Sequence, residues 1–192
     1  MKTLPLLLLI IFVTSCSSIS EKVISRMDNV DEKPSWATLS KTMFVKEGKV
    51  FSVGLTEANA GSRVSALSRV ADNNARFELS RTIIDESSFI FQNMEEGAEE
   101  GGQLSRFYGN ELSKHVSHGV RQEKRYWEKI QTFDEHGDKV FRIKLFSLVS
   151  IKESDLKKAV KRALNKEQGI SPKMKEAIDN HITSQIKGLE ES

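Results

Sequence analysis

Two histidines, His115 and His118, stand three residues apart, and this spacing places both imidazoles on one face of a helix. A zinc ion in a protein takes three or four protein ligands, so the pair supplies at most half of a site. The nearest carboxylates, Glu111 and Glu123, fall at positions typical of solvated surface residues. Histidines close to a helix end more often cap the helix or contact solvent. We therefore expect no metal ion and no cofactor.

The remaining reactive side chains do not form a pattern typical of an enzyme. No serine stands in the Gly-x-Ser-x-Gly arrangement of a nucleophile elbow. Four glutamates crowd into residues 95–100, where they indicate a solvated acidic surface rather than an acid–base pair. Gly101 and Gly102 lack the preceding apolar strand and the following Lys-Ser/Thr of a phosphate loop. The sequence thus predicts a protein without catalytic activity.

The N-terminal residues carry a targeting signal. Lys2 is followed by eight consecutive apolar residues at positions 6–13, and then by the small residues Thr14 and Ser15 and by Cys16. A basic start, a short apolar run and a small-residue cleavage site are typical of a secretory signal peptide. The run is far shorter than the roughly 20 residues that cross a bilayer as a helix.

Residues 13–16, Val-Thr-Ser-Cys, resemble the lipobox of bacterial lipoproteins. The resemblance implies that residues 1–15 are a lipoprotein signal peptide, that cleavage occurs before Cys16, and that its sulfur and amine both carry acyl chains. By resemblance to sorted lipoproteins, Ser17 after the cysteine favours the outer membrane. The expected location is therefore the bacterial cell envelope, with the membrane bound through lipid on Cys16. The alternative is an ordinary signal peptide that ends in cysteine by chance.

Composition limits the other functional classes. Residues 16–192 are enough for one domain with flexible ends. The chain is 38% hydrophobic and 29% charged, as soluble domains are. A net charge of +2 is too small to indicate a nucleic-acid partner. With Cys16 lipidated, no thiol remains for a disulfide, because the chain contains only this cysteine.

Hydrophobic periodicity predicts an α+β fold beyond the signal peptide. Residues 16–33 are polar without a clear period, which indicates a flexible, lipid-anchored tether. The α+β domain is expected over residues 34–165, beginning at Pro34, and residues 166–192 are expected to form a helical tail that docks on the domain or on a partner. Within the domain, a small antiparallel sheet with helices packed on one face is predicted. Its elements are a strand at 50–55, helices at 58–84 and 104–116, a strand hairpin at 119–133 and 139–151, and a helix ending at 164. Residues 95–103 are predicted to be a loop.

Several short segments, taken in order behind Cys16, resemble the twenty-kilodalton outer-membrane lipoprotein family, which has a flagellar member. They are the tripeptide at 34–36, the strand at 50–54, the alanine-rich stretch at 66–79, Trp127, and the apolar strand at 140–149. The resemblance covers residues 34 to about 164. It implies a small α+β domain that often assembles into multimers, and it implies no catalytic residues. A role in envelope assembly, including flagellar motility, is what this family suggests.

Aromatic residues give a second interpretation. Trp36, Tyr126 and Trp127 could form a stacking surface for a cell-wall glycan or a small ligand. For Trp36, packing on the core is the favoured role. The sequence therefore supports two functional hypotheses. The first is an envelope lipoprotein that assembles as a homo-oligomer or with other envelope proteins. The second is a ligand-binding module anchored in the same cell envelope.

Overall fold

We describe the protein from a computed structural model that covers residues 21–38, 42–94, 98–167 and 169–190. These residues form five strands and four α-helices, together with short 3-10 turns at Met27–Asn29 and Ser35–Ala37. The strands are β1 (Lys22–Arg26), β2 (Met43–Lys46), β3 (Lys49–Asn59), β4 (Arg121–Phe133) and β5 (Lys139–Lys152). The helices are α1 (Val64–Met94), α2 (Ala98–Gly119), α3 (Glu153–Lys166) and α4 (Pro172–Glu190). The predicted α+β class is confirmed.

All five strands join in one antiparallel sheet, in the order β1-β4-β5-β3-β2. The predicted hairpin, β4 and β5, forms its centre, and β3 pairs with β5 from Lys49 to Asn59. The edge strands β1 and β2 are the two shortest, and β1 also contains a bulge. Short or bulged edges limit further strand pairing at the sides of a sheet.

The four helices cover one face of the sheet, as predicted. Alternate residues of β3 and β5, such as Val50 and Val149, point into a core that all four helices share. The helix α1 lies directly on β3 at Gly54. A Cβ atom at position 54 would overlap the carbonyl oxygen of Ala71 and lie 2.8 Å from the Cα of Ala75. A glycine here allows the close approach of helix and strand.

We call the other face of the sheet the outer face. It has its own, smaller core. Val53, Phe146 and Leu148 are buried there together with Tyr126 and Ala37. Residues 27–38 cross this face, so that the sheet is covered on both sides by the chain. Residues 27–38 therefore form a layer of the domain, which we call the N-terminal layer.

This layer corrects the prediction of a flexible tether over residues 16–33. Residues 22–26 form β1, which pairs with β4 through Lys22–Gln131 and Val23–Ile130. The segment is only five residues long and contains two charges, so its strand state depends on the neighbouring strand more than on its own pattern. Residues 16–20 lie outside the described part of the chain, and the tether prediction stands only for them.

One strand was not predicted, and the bounds of β3 and α1 differ from the prediction; α1 continues to Met94 rather than ending at residue 84. The unpredicted strand, β2, pairs with β3 through a two-residue turn at Glu47-Gly48, and both turn residues have positive φ, as such a hairpin requires. The strand β3 continues to Asn59 because β5 offers a partner as far as Arg142, and α1 therefore begins at Val64 rather than at residue 58.

The predicted loop at 95–103 is also wrong in part. Residues 98–103 have helical backbone and form the first turns of α2, while 95–97 lie outside the described residues. Alanine, glutamate and glutamine there are good helix formers, and they outweigh the two glycines.

The C-terminal tail docks on the domain itself. Ser171 accepts a hydrogen bond from the backbone nitrogen of Met174 at 3.2 Å, as expected for a helix cap before Pro172. The spaced residues Met174, Ile178, Ile182 and Ile186 are all buried in the main core. In the part of the chain that is described, no helix is both long and apolar enough to cross a membrane.

Candidate functional site

The outer face carries an aromatic groove, defined by Trp36, Phe44, Phe51 and Leu148. Its cavity volume is about 550 Å³. Phe44 of β2 and Phe51 of β3 are directly paired across the two strands, and their rings stack with centroids 5.0 Å apart and planes only 9° from parallel. Trp36 is half-buried against the same apolar cluster. Flat rings at the wall of an open groove offer stacking area to a ring-shaped ligand.

Charged residues form the rim of this aromatic groove. Lys46, Lys49 and Lys124 line it together with the carboxylates Glu47 and Glu123. Lys49 donates to Glu123 at 2.9 Å, and the hydroxyl of Ser150 donates to the same oxygen at 2.5 Å.

These two donors set the protonation state of Glu123. The Ser150 hydrogen bond, followed by the Lys49 ammonium, holds the pKa of the carboxyl below its usual value. Glu123 is thus a fixed anion that also engages one of the three lysines, which leaves the rim with a modest excess of positive charge.

A buried polar cluster holds the N-terminal layer against the sheet and so places Trp36. Lys33 donates to Glu128 at 3.1 Å and lies 4.1 Å from the centroid of the Phe146 ring. The Tyr126 hydroxyl donates to the second oxygen of Glu128, also at 3.1 Å. Because Glu128 is only 5% exposed, its charge needs both partners. Burial, and then the Glu128 anion, raise the pKa of Tyr126.

The structure separates the three predicted interaction residues. Trp36 and Tyr126 lie on the outer face, but Tyr126 is 2% exposed and cannot stack on a ligand. Trp127 points to the opposite face, where it packs beside Leu67 and Ala71 of α1. Adjacent residues of a strand point to opposite faces, so Tyr126 and Trp127 could not share a surface. The predicted surface of three aromatics is therefore wrong, and only Trp36 belongs to the aromatic groove.

The aromatic partners of Trp36 were missed by the sequence analysis. Phe44 lies in the unpredicted strand β2, and Phe51 was assigned to a strand without a known neighbour. The signal that could have found them is the Glu47-Gly48 turn. A two-residue turn pairs the residues on either side of it in a fixed register, and this register places Phe44 opposite Phe51.

His115 and His118 do lie together, in a shallow cavity between α2 and α3 that also contains Asp155 and Arg162. The Nδ1 atom of His118 is 2.6 Å from the carbonyl oxygen of Lys114, as in a helix-end contact. No group of three or more His, Cys, Asp or Glu side chains suited to a metal ion occurs among residues 21–38, 42–94, 98–167 and 169–190.

Cys16 lies outside the described residues, and the described chain begins at Glu21. The carboxylate of Glu21 accepts a hydrogen bond from Lys144 at 2.6 Å. Lys22 then pairs with Gln131 near the β4–β5 turn. The chain that leads from Cys16 therefore enters the domain at the turn end of the central hairpin.

Comparison with known proteins adds no identification. No protein-family model, curated protein or solved structure matches this chain. The resemblance to the twenty-kilodalton outer-membrane lipoprotein family therefore stays a prediction from the sequence, and so do the location and the role that it implies.

Proposed function

We propose that this protein is a non-enzymatic, lipid-anchored protein of the bacterial cell envelope that acts through protein assembly. The observation that carries the proposal is the context of Cys16, which follows a short apolar run and two small residues. Two or more acyl chains, at roughly 0.8 kcal/mol per buried methylene, would hold the domain on a membrane in effect permanently.

Because β1 begins at Lys22, a lipid on Cys16 would hold the domain close to the membrane surface. Only four residues, 17–20, separate Cys16 from Glu21, whose carboxylate is hydrogen-bonded to Lys144 of the sheet. A domain confined to a surface meets other copies at high local concentration, so that weak contacts between copies become sufficient for assembly. The outer membrane and a flagellar or other envelope structure are the location and setting that the family resemblance suggests.

Cell fractionation tests the anchoring. The chain with its own leader should float with membranes, and a Ser17→Ala variant serves as the matched control that keeps the cysteine. A Cys16→Ala variant, with residues 1–15 exchanged for the leader of a soluble periplasmic protein, should move to the soluble fraction. Membrane association of that variant would refute anchoring through Cys16.

Size-exclusion chromatography tests the assembly. Residues 17–192, without the lipid, should elute above the monomer mass as their concentration rises, and the lipidated protein in detergent should assemble at a lower concentration. A monomer in both forms at every concentration would refute self-assembly and leave assembly with other envelope proteins, which crosslinking in cells detects.

A binding module is the second candidate function, because Trp36 and the stacked pair Phe44 and Phe51 line an open groove with a basic rim. A ring-bearing ligand such as a cell-wall glycan fragment suits such walls. Trp36→Ala should abolish retention on purified peptidoglycan, whereas Trp127→Ala, a change of the same type on the opposite face, should not. Equal retention of both variants and the wild type would exclude the aromatic groove.

A further inference from the structure

Two exposed phenylalanines mark the turn end of the central hairpin. Phe133 of β4 is 39% exposed and Phe141 of β5 is 45% exposed. Their strand partners are Lys139 and Gln131, so both rings lie on the helix side of the sheet, at diagonal positions where aromatic side chains come within reach of each other. We call this pair of rings the hairpin patch.

None of the helices in the described part of the chain covers the hairpin patch. The pairing of β3 with β5 ends at Asn59–Arg142, and α1 begins only at Val64, after the chain has turned back. Ile143, two residues beyond Phe141 on the same face, and Trp127, further along β4, already pack against α1. The hairpin patch is therefore the part of this face that extends past the helical layer.

The anchoring residue must lie near the hairpin patch. Lys22 pairs with Gln131, two residues before Phe133, and five residues lead back from Glu21 to Cys16. An extended chain covers at most 3.3–3.6 Å per residue, so the α-carbon of Cys16 cannot lie more than about 18 Å from that of Glu21. A lipid on Cys16 thus brings this end of the sheet to the bilayer surface. The opposite end of the sheet is too far from Cys16 to lie there.

Charges around the hairpin patch are balanced. Lys139 is the strand partner of Phe133, Lys22 is a strand partner of Gln131, and the Lys129 ammonium lies 5.3 Å from the centroid of the Phe141 ring. The turn itself carries three carboxylates, at Asp134, Glu135 and Asp138. Contact with a membrane would therefore depend on the aromatic rings at the interface and on the lysine stems, with little attraction from anionic lipid.

We propose that the hairpin patch rests in the headgroup region of the bilayer that holds the Cys16 lipid, and that it fixes the orientation of the domain on the membrane. This inference rests on the proposed lipid anchoring. The helical layer and the aromatic groove then keep a constant orientation relative to the membrane, and this favours contacts between neighbouring copies.

Quenching by brominated phospholipid tests the orientation. The full-length lipidated protein is purified and reconstituted in phosphatidylethanolamine–phosphatidylglycerol vesicles, with either ordinary or brominated acyl chains. Phe141→Trp and Phe133→Trp each place an indole in the hairpin patch. Phe89→Trp is the matched control, because Phe89 is 64% exposed and lies 25 residues along α1 from Val64.

The added fluorescence of Phe141→Trp and Phe133→Trp over the wild type should be lost in brominated vesicles, and that of Phe89→Trp should remain. Concentrated salt should leave this loss unchanged. Equal behaviour of the three variants, in protein that floats with the vesicles, would overturn the orientation and leave the anchoring intact. Protein that carries no acyl chain and does not float would overturn the anchoring and the orientation together.

Discussion

At the scale of single residues, Glu111 is the carboxylate that joins two helices. Its oxygens accept from Lys114, one turn along α2, at 2.8 Å and from Lys166, at the end of α3, at 2.6 Å. The two hydrogen bonds lower the pKa of Glu111 from its usual 4.5 to about 2. The carboxylate therefore stabilises the folded state while it is ionised, and Lys166 depends on it for contact with α2.

Replacing Glu111 by glutamine should lower the free energy of unfolding at neutral pH. Because the folded-state pKa lies below the unfolded one, the contribution of Glu111 is complete above about pH 4.5 and disappears as the pH falls to about 2. Urea denaturation of the wild type and of Glu111→Gln over this range measures it, with Glu135→Gln in the exposed hairpin turn as control. A difference between the wild type and Glu111→Gln that stays constant down to pH 2 would contradict this assignment.

Residue roles were predictable only where they depend on local spacing. The cap at Ser171 and the buried residues of α4 follow from sequence alone, because a cap and a helical stripe are local patterns. Asp72 shows the opposite case. Its position suggests a pair with Arg76, one helical turn away, but in the structure it accepts from Arg125 and Ser147 of the sheet, and Arg76 donates to the carbonyl oxygen of Ser117. Such long-range partners require the fold.

At the scale of elements, the contact between α1 and β3 decides how closely the helical layer approaches the sheet. Gly54 faces Ala71 and Ala75, and Asn74 donates to the carbonyl oxygen of Leu55 at 2.8 Å. Backbone therefore lies against backbone at this point, and neither side has a flexible side chain that could move aside.

Gly54→Ala should destabilise the protein by about 3 kcal/mol or more, since overpacking against rigid neighbours costs at least as much as in an ordinary core. Gly61→Ala is the matched control, because its added methyl group would meet no atom within 4 Å. Thermal denaturation of both variants measures the difference. Similar midpoints for the two would show that α1 can move off the sheet at little cost.

The helix α4 is part of the main core, so that the tail is not free to bind a partner. Ile178→Ala should destabilise the protein by about 2–5 kcal/mol, as expected for a fully buried isoleucine. Val70→Ala, at a residue that is 45% exposed on α1, should change the free energy of unfolding much less. Chemical denaturation compares them, and an unchanged midpoint for Ile178→Ala would indicate that α4 does not dock.

The elements that the sequence predicted differ in one property from those that it missed. The long or strongly periodic segments α1, α3, α4, β4 and β5 were predicted because each carries a repeated apolar spacing of its own. The strands β1 and β2 have five and four residues, too few to show a period, and they are strands because a neighbour supplies the hydrogen bonds.

At the scale of the whole molecule, the sheet separates two surfaces with different properties. Four helices cover one face around the main core as far as the hairpin patch, and the outer face carries the aromatic groove beside the N-terminal layer. The chain enters at the turn end of the central hairpin, where Phe133 and Phe141 are exposed. The fold class was predictable from the order of patterns, but the aromatic groove was not, because it is assembled from β2, β3, β5 and the N-terminal layer.

The central claim is that Cys16 carries the lipid anchor, and mass spectrometry of the N-terminal peptide tests it most directly. The protein is expressed with its own leader in a bacterium with a lipoprotein pathway, extracted from membranes and digested. The account predicts that the first peptide begins at Cys16 and carries the mass of a diacylglyceryl group with a further acyl chain on the amine. A first peptide that begins elsewhere, or an unmodified Cys16, would contradict it.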